Sequence, residues 1–267
     1  MTNWLQARMV RGLIAGCAAL CATSVAAQPM QRGFVALGGA VGPDYSGSSD
    51  YRVLPFAAAR LSFAGVTFES EGLGGRLNLS QTRGFGYGPS FRFRFGRDDS
   101  VENDQVAELE EIDEAFEIGG FVRIGRPIGL TRGDVASLSV EVLGDVAGGH
   151  SGVVGRVSAA YTMRPAQRLG LTLATSATIV SEAFNDTYFS VSDAGSAASG
   201  LDAFTAEGGL NNVGLSAIAR YQVTERWGVT GLVSVSRLLG DAADSPVVDD
   251  VGSPTQVFGG LGISYSF

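Results

Sequence analysis

Large apolar side chains alternate with small or polar ones along most of this chain. In residues 84–96 the odd positions hold mainly Phe and Tyr, and several even positions hold Ser or Arg. Successive side chains of a strand point to opposite faces, so this segment has an aromatic face and an arginine face. A soluble sheet offers no outlet for such an aromatic face, whereas a membrane barrel turns it to lipid and the arginines to a wet interior.

The same alternation recurs often enough to predict about twelve strands. They are residues 32–41, 51–60, 66–71, 73–80, 84–96, 114–125, 135–146, 151–164, 168–180, 212–223, 227–237 and 256–267. Crossing a bilayer at a tilt takes ~9–11 residues per strand, which most of these segments approach. Two positions are irregular. In the second segment Arg60 points to the same face as Phe56, so the pattern does not decide which face of that strand is inward. In segment 114–125, Phe121 lies on the face that otherwise holds polar side chains.

The last segment predicts how the barrel closes. Its large side chains are expected to face lipid, and its small ones the lumen: Leu261, Ile263, Tyr265 and Phe267 against Gly260, Gly262, Ser264 and Ser266. A bacterial outer-membrane barrel typically ends on an aromatic residue in the strand that pairs with the first. The fold class predicted is therefore all-β, a transmembrane antiparallel up-and-down β-barrel of about twelve strands, closed by the C-terminal strand that ends at Phe267.

The connections between these strands differ in length and charge. Taken in order along the chain, every second connection is short. The long connections all belong to the other set, at 42–50, 97–113, 181–211 and 238–255. Ten of the twenty residues in 98–117 are acidic, and arginines gather near the short turns. Outer-membrane barrels have short periplasmic turns and longer external loops, so we expect both termini in the periplasm.

The first 27 residues have the pattern of a cleaved secretory signal peptide. Arg8 and Arg11 precede an apolar run at 12–22, and small residues at 25–27 form a cleavage site. Residues 28–267 then form a single barrel domain. An alternative is a lipoprotein processing site at Cys17, although the apolar run before that cysteine is short for this purpose.

Composition narrows the function classes further. Of the 267 residues none is Lys, and the net charge is -8. An acidic chain is not a nucleic-acid binder on charge grounds. Both cysteines, Cys17 and Cys21, lie in the signal segment, so we expect neither thiol catalysis nor a cysteine metal site in the mature chain.

Charged side chains with the parity of the barrel interior are the candidate functional residues. They are Arg76, Arg92, Arg94, Arg123, Arg156, Arg220, Glu69, Glu117 and Glu141. They could form an anion-attracting lumen, because rings of charged side chains set the selectivity of pores. They could equally pair across strands into an ion-pair network that fills a narrow barrel.

Other candidate chemistry is weak, and we predict no catalytic residue, cofactor or metal site. His150, the single histidine, is adjacent to Ser151, but neighbours on a strand point apart and could not form a nucleophile–base pair. The acidic segments 98–117 and 241–250 could bind divalent cations, or bridge through them to lipopolysaccharide. Neither has the spacing of a defined calcium loop, and acidic runs are usually solvated segments.

Several stretches resemble the MipA/OmpV family of outer-membrane proteins (MltA-interacting protein). They include Asp44-Tyr45-Ser46-Gly47-Ser48, residues 88–97, 148–152 and 199–201, and Leu239-Gly240-Asp241-Ala242-Ala243-Asp244-Ser245-Pro246. The resemblance implies an outer-membrane barrel in contact with lipid and lipopolysaccharide. It also implies a scaffold that brings a lytic murein transglycosylase together with a penicillin-binding protein.

The resemblance carries no catalytic motif, so the expected role is structural and not enzymatic. An alternative is a narrow channel for small solutes, or an osmotic- or stress-response protein of porin type. A third hypothesis, an envelope hydrolase, depends on His150 alone.

Overall fold

A computed structural model describes residues 33–131 and 133–267, and it contains twelve strands. The predicted signal peptide, both cysteines and Arg132 lie outside the described residues. The strands are β1 (Phe34–Pro43), β2 (Tyr51–Phe63), β3 (Val66–Glu71), β4 (Gly74–Asn78), β5 (Phe85–Arg94), β6 (Ala115–Arg126), β7 (Val135–Asp145), β8 (Val153–Ala166), β9 (Leu169–Val180), β10 (Gly209–Gln222), β11 (Trp227–Leu238) and β12 (Thr255–Ser266).

The strands form one closed barrel in which each strand pairs with its sequence neighbours and β1 pairs with β12. At this seam Phe34 lies opposite Ser266, and Val41 opposite Gly259, in antiparallel register. Closure pairs each of the twelve described strands on both edges, which a barrel in hydrocarbon requires because no water is there to hydrogen-bond the backbone. The predicted barrel, its strand number and its closure by the last strand are confirmed.

The two faces of the barrel differ as the alternation requires. Residues 261–264 of β12 alternate in exposure. Leu261 and Ile263 are 63% and 66% exposed, whereas Gly262 and Ser264 are buried. Large apolar side chains are exposed around the whole outer surface, as expected for a wall that faces lipid.

Both irregular positions have a packing explanation. Phe56 is buried against Ala36 and Ala40, so the face of β2 that carries Phe56 and Arg60 is the inward one. Phe121 is also buried and faces inward, where the guanidinium of Arg76 lies 5.1 Å from its ring centroid. An aromatic ring therefore replaces a polar side chain at this interior position.

The connections that follow odd-numbered strands meet at one end of the barrel, here called the loop end, because the strands are antiparallel. Five short helices lie there: α1 (Asp104–Ala107), α2 (Glu182–Phe189), α3 (Asp193–Ser199), α4 (Asp241–Asp244) and α5 (Pro246–Asp249). The other end, the turn end, carries the connections 64–65, 79–84, 127–134, 167–168 and 223–226.

The long connection predicted at 181–211 contains the helices α2 and α3. In α2, Phe184 and Tyr188 are spaced by four residues and both are buried. Ser192 caps α3 by accepting a hydrogen bond from Gly195 N–H, and Gly200 ends that helix with φ of 77°. Strand β10 then begins at Gly209, three residues before the predicted start.

Candidate functional site: the barrel lumen and its cap

Ion pairs line the interior on one side of the barrel. In the first group Glu69 contacts Arg60, Arg76 and Arg123 at 3.3, 3.0 and 3.1 Å. Glu71 contacts Arg76 at 3.4 Å and Arg156 at 3.5 Å. This group, here called the Glu69 group, holds four arginines and two glutamates, so it carries two positive charges in excess.

A second group surrounds Glu117, whose side chain is fully buried. Its carboxylate contacts Arg94 and lies 3.8 Å from Arg92. Arg92 also donates a hydrogen bond of 2.7 Å to Glu141. This Glu117 group has two arginines and two glutamates and is balanced in charge. Buried ions of one sign are costly unless paired, which explains why Glu117 is held from several sides.

The ion pairs reach across the lumen and do not only follow its wall. Glu71 is on β3 and Arg156 on β8, five strands apart in a barrel of twelve, yet they lie 3.5 Å apart. Arg123 on β6 likewise reaches Glu69 on β3. The structure therefore places a bridge of side chains over nearly the full width of the interior.

Eight of the nine predicted lumen residues lie in these two groups, and Arg220 does not. Its guanidinium stacks on the ring of Phe34, 4.0 Å from the centroid, near the turn end. The prediction omitted two members of the network, Arg60 and Glu71. Glu71 has the same parity as Glu69 and could have been chosen on that ground, while Arg60 required the orientation of β2.

The opposite wall, formed by β9 to β12 with β1, has mainly small or apolar inward side chains, apart from Arg220 near the turn end. Phe56 packs against this wall where Gly260 and Gly262 leave room for its ring. A Cβ on Gly260 would lie 2.5 Å from that ring, and one on Gly262 would lie 2.9 Å from it. The lumen thus has one charged side and one small, largely uncharged side.

The loop end is closed by a folded cap, defined as residues 44–50, 95–114, 181–208 and 239–254. One apolar cluster joins Phe184 and Phe189 of α2 to Val154 and Val180 at the strand ends and to Val248 of α5. A second cluster joins Tyr45, Val106, Leu109, Val191, Leu201 and Val247. Buried side chains from several separate loops make this cap a small hydrophobic core of its own.

His150 connects the cap to the ion pairs below it. Gly152 N–H donates a 2.9 Å hydrogen bond to Nδ1, so in the neutral ring Nε2 carries the proton and faces Glu117 Oε1 at 3.1 Å. The ring of Phe184 lies 5.0 Å from the imidazole and 4.9 Å from the Arg94 guanidinium. Burial raises the pKa of the neighbouring Tyr188 to about 12, so that phenol stays neutral.

The acidic loops form no compact ligand set. In residues 33–131 and 133–267, no group of three or more His, Cys, Asp or Glu side chains is arranged to hold a metal ion. Ser151 is exposed, whereas the His150 ring is fully buried and its two nitrogens contact Glu117 and Gly152. Within the described part of the chain, no helix is both long and apolar enough to cross a membrane.

Comparison with known proteins adds the family. A sequence profile described as "MltA-interacting protein MipA" matches residues 35–267, which is nearly the whole described barrel. The chain belongs to the MipA family. Membership of this family, together with the closed barrel, locates the protein in the outer membrane. A search of curated proteins finds no sequence that matches the chain.

Solved structures that align with the chain include a porin, an outer-membrane channel and an autotransporter translocator domain, all of low sequence identity. The NanC porin is 10% identical with a TM-score of 0.43, and the alignment covers 87% of this chain and 98% of that one. An outer-membrane channel from Pseudomonas putida F1 is 13% identical with a TM-score of 0.45, covering 90% and 97%. The translocator domain of the autotransporter NalP from Neisseria meningitidis is 12% identical with a TM-score of 0.35, covering 100% and 97%. Similarity at this level says nothing of what this barrel binds.

Proposed function

We propose that the protein is a non-enzymatic structural component of the outer membrane whose turn end binds peptidoglycan-remodelling enzymes. The observation that carries the proposal is an arginine-rich rim at the turn end of a barrel whose loop end is capped. The rim consists of Arg83, Arg126, Arg164, Arg168 and Arg226, all exposed, and none forms an ion pair with another described residue. The family description supports a lytic murein transglycosylase as one partner.

Charge explains how such a rim would recognise a partner. Two acidic side chains lie in the turns: exposed Glu225, and Asp134, which accepts hydrogen bonds from three backbone N–H groups of its own turn. The turn end therefore presents unpaired positive charge to the periplasm in the expected orientation. Complementary charge increases the rate and the specificity of protein association, so an acidic surface on the partner is expected to dock here.

The alternative, a narrow channel, has less support in the geometry. The cap covers the loop end, and ion pairs such as Arg156–Glu71 cross the interior. A hydrolase would need an accessible catalytic group, whereas the His150 side chain is fully buried and both of its ring nitrogens face partners. These contacts support a structural role for the barrel and for its histidine.

The experiment is a pull-down of a lytic murein transglycosylase with the purified barrel. Replacing Arg83, Arg126, Arg164 and Arg168 together with Ser should reduce capture at least about tenfold, since complementary charge is lost from the rim. The matched control neutralises four exposed acids of the cap, with Asp98 and Asp99 changed to Asn and Glu108 and Glu111 changed to Gln. It should capture as much enzyme as the wild type.

Equal capture by the rim variant would refute the docking surface. Planar-bilayer recording of the wild-type barrel separates the scaffold from the channel, because the proposal expects no steady conductance. A stable current that persists in candidate solutes would favour the narrow channel instead.

A further inference from the structure

Positive charge inside the barrel exceeds negative charge, and the excess can be located. The Glu69 group has four arginines for two glutamates. Arg60 is 56% exposed at the turn end, where water solvates it. Arg76 and Arg123 lie about 3 Å from Glu69, at 3.0 and 3.1 Å. Arg156 has the weakest pairing of the four, a single contact of 3.5 Å to Glu71.

Two buried donor groups without a described partner belong to residues that lie opposite each other on β8 and β9. Arg156 Nε is buried and makes no hydrogen bond with any described residue. Thr178 lies directly opposite Arg156 in the β8–β9 register, is 3% exposed, and its Oγ1 is likewise unbonded within the described chain. Buried polar groups are normally hydrogen-bonded, so an unbonded guanidinium donor and an unbonded hydroxyl on facing residues indicate a place for an acceptor.

The surrounding charges decide which kind of acceptor fits. Glu141 lies opposite Arg156 in register, but its carboxylate accepts a 2.7 Å hydrogen bond from Arg92. Arg92 and Arg94 are further positive charges near Arg156, opposed by Glu71 and Glu141. The excess positive charge would repel a cation. An oxyanion, in contrast, can accept hydrogen bonds from both a guanidinium and a hydroxyl.

A path to this point runs from the turn end. The lumen-facing pairs Ser158–Ser176 and Ala160–Ala174 follow Arg156–Thr178 in the β8–β9 register, and all four side chains are small. Closer to the turn end, Ile218 lies on the same inward face of β10 as Arg220 and is still 42% exposed. The packed cap covers the loop end, so we take the turn end as the route of entry.

We propose that the lumen holds a binding site for a small oxyanion of the phosphate or sulfate class, formed by Arg156 and Thr178. The anion enters from the turn end and accepts hydrogen bonds from Arg156 Nε and Thr178 Oγ1. It offsets part of the positive excess of the Glu69 group. The site is independent of the docking rim, because its residues lie inside the barrel and the rim residues lie at its edge.

Equilibrium dialysis of the full barrel in detergent against radiolabelled inorganic phosphate, at constant ionic strength, tests the site. The wild type should bind one phosphate per barrel, and unlabelled sulfate should displace it. Arg156→Gln and Thr178→Val should each weaken binding at least about tenfold, because each removes one of two donors to the anion. Migration of unboiled protein in gels verifies that each variant is folded, and Thr178→Val preserves side-chain volume and charge.

Matched controls use lumen residues outside the site. Arg220→Gln removes an interior arginine that stacks on Phe34, and Thr172→Val removes a hydroxyl that bonds Thr162. Both should bind phosphate like the wild type. Absence of phosphate binding to the wild type, equal weakening by Arg220→Gln, or displacement by chloride as effective as by sulfate would each overturn the site.

Discussion

Individual charged residues in this barrel are held in very different surroundings. Glu117 is fully buried between Arg92, Arg94 and His150. Removing its charge would take away the ion-pair partner that Arg94 has among the described residues, whereas Arg92 would keep its contact with Glu141. Asp134 lies in the turn that joins β6 to β7. It accepts three hydrogen bonds of 2.9 Å from backbone N–H groups and one of 2.7 Å from the Tyr161 hydroxyl. These bonds favour the ionised carboxylate, above all that from Thr131 N–H, and they lower the pKa of Asp134 to about 2.

The depressed pKa of Asp134 predicts a loss of stability in acid. An unfolded aspartate has a pKa of about 3.9, so the folded state binds the proton less readily. The stabilisation is present above that value and is lost as pH falls from about 4 through about 2. Thermal unfolding between pH 5 and pH 2 should therefore show a steeper loss for the wild type than for Asp134→Asn. Asp99→Asn, in an exposed loop, should follow the wild type, and identical slopes for wild type and Asp134→Asn would contradict the assignment.

At the scale of elements, the strands and the cap are stabilised by different means. The strands form a continuous hydrogen-bonded ladder whose apolar outer face meets lipid. The cap helices are only 4 to 8 residues long, so they depend on tertiary packing and not on their own propensity. That packing centres on Phe184, whose ring lies between the Arg94 guanidinium and the imidazole of His150.

Replacing Phe184 with Ala should loosen the cap without opening the barrel. Truncation of a buried Phe costs roughly 3–5 kcal/mol, and this one also removes the aromatic contact with Arg94. Hydrogen exchange of amides in residues 181–208 should accelerate, while strand amides remain protected. Phe63→Ala, an exposed residue on β2, is the matched control and should leave the cap unchanged. Unchanged exchange in the Phe184 variant would show that the cap is held elsewhere.

At the scale of the whole molecule, charge is segregated between the two ends. The loop connections carry most of the acidic residues, and exposed arginines surround the turn end. The three longest connections, 95–114, 181–208 and 239–254, all lie at the loop end, and the usual asymmetry of these barrels puts that end outside the cell. The arginine-rich rim then faces the periplasm, where enzymes that act on peptidoglycan are found.

This orientation predicts which epitopes an intact cell exposes. A peptide tag inserted after Asp99, in the connection between β5 and β6, should be labelled by antibody on intact cells. A tag inserted after Glu225, in the turn between β10 and β11, should be labelled only after the outer membrane is permeabilised. The reverse pattern would invert the topology and would remove the rim from the periplasm.

Sequence alone determined the barrel, because alternation is a local property that each strand displays separately. The period of two predicted that residues such as Glu69 and Arg156 face inward, and the same alternation in 256–267 predicted the strand that pairs with β1. Arg60 could not be predicted because β2 has apolar side chains on both faces, whereas the alternation of 66–71 already gave Glu71 the same face as Glu69. The sequence predicted that the interior carries net positive charge. It did not predict that this charge divides into the balanced Glu117 group and the positive Glu69 group.

Only the tertiary structure decided what the interior and the loop end become. The Glu71–Arg156 contact joins residues 85 positions apart and depends on the curvature that brings β3 opposite β8. The cap likewise depends on apolar residues spread over separate loops, none of which has a long periodic pattern of its own. Strand formation follows from neighbours in sequence, whereas the network and the cap follow from neighbours in space, which sequence periodicity does not encode.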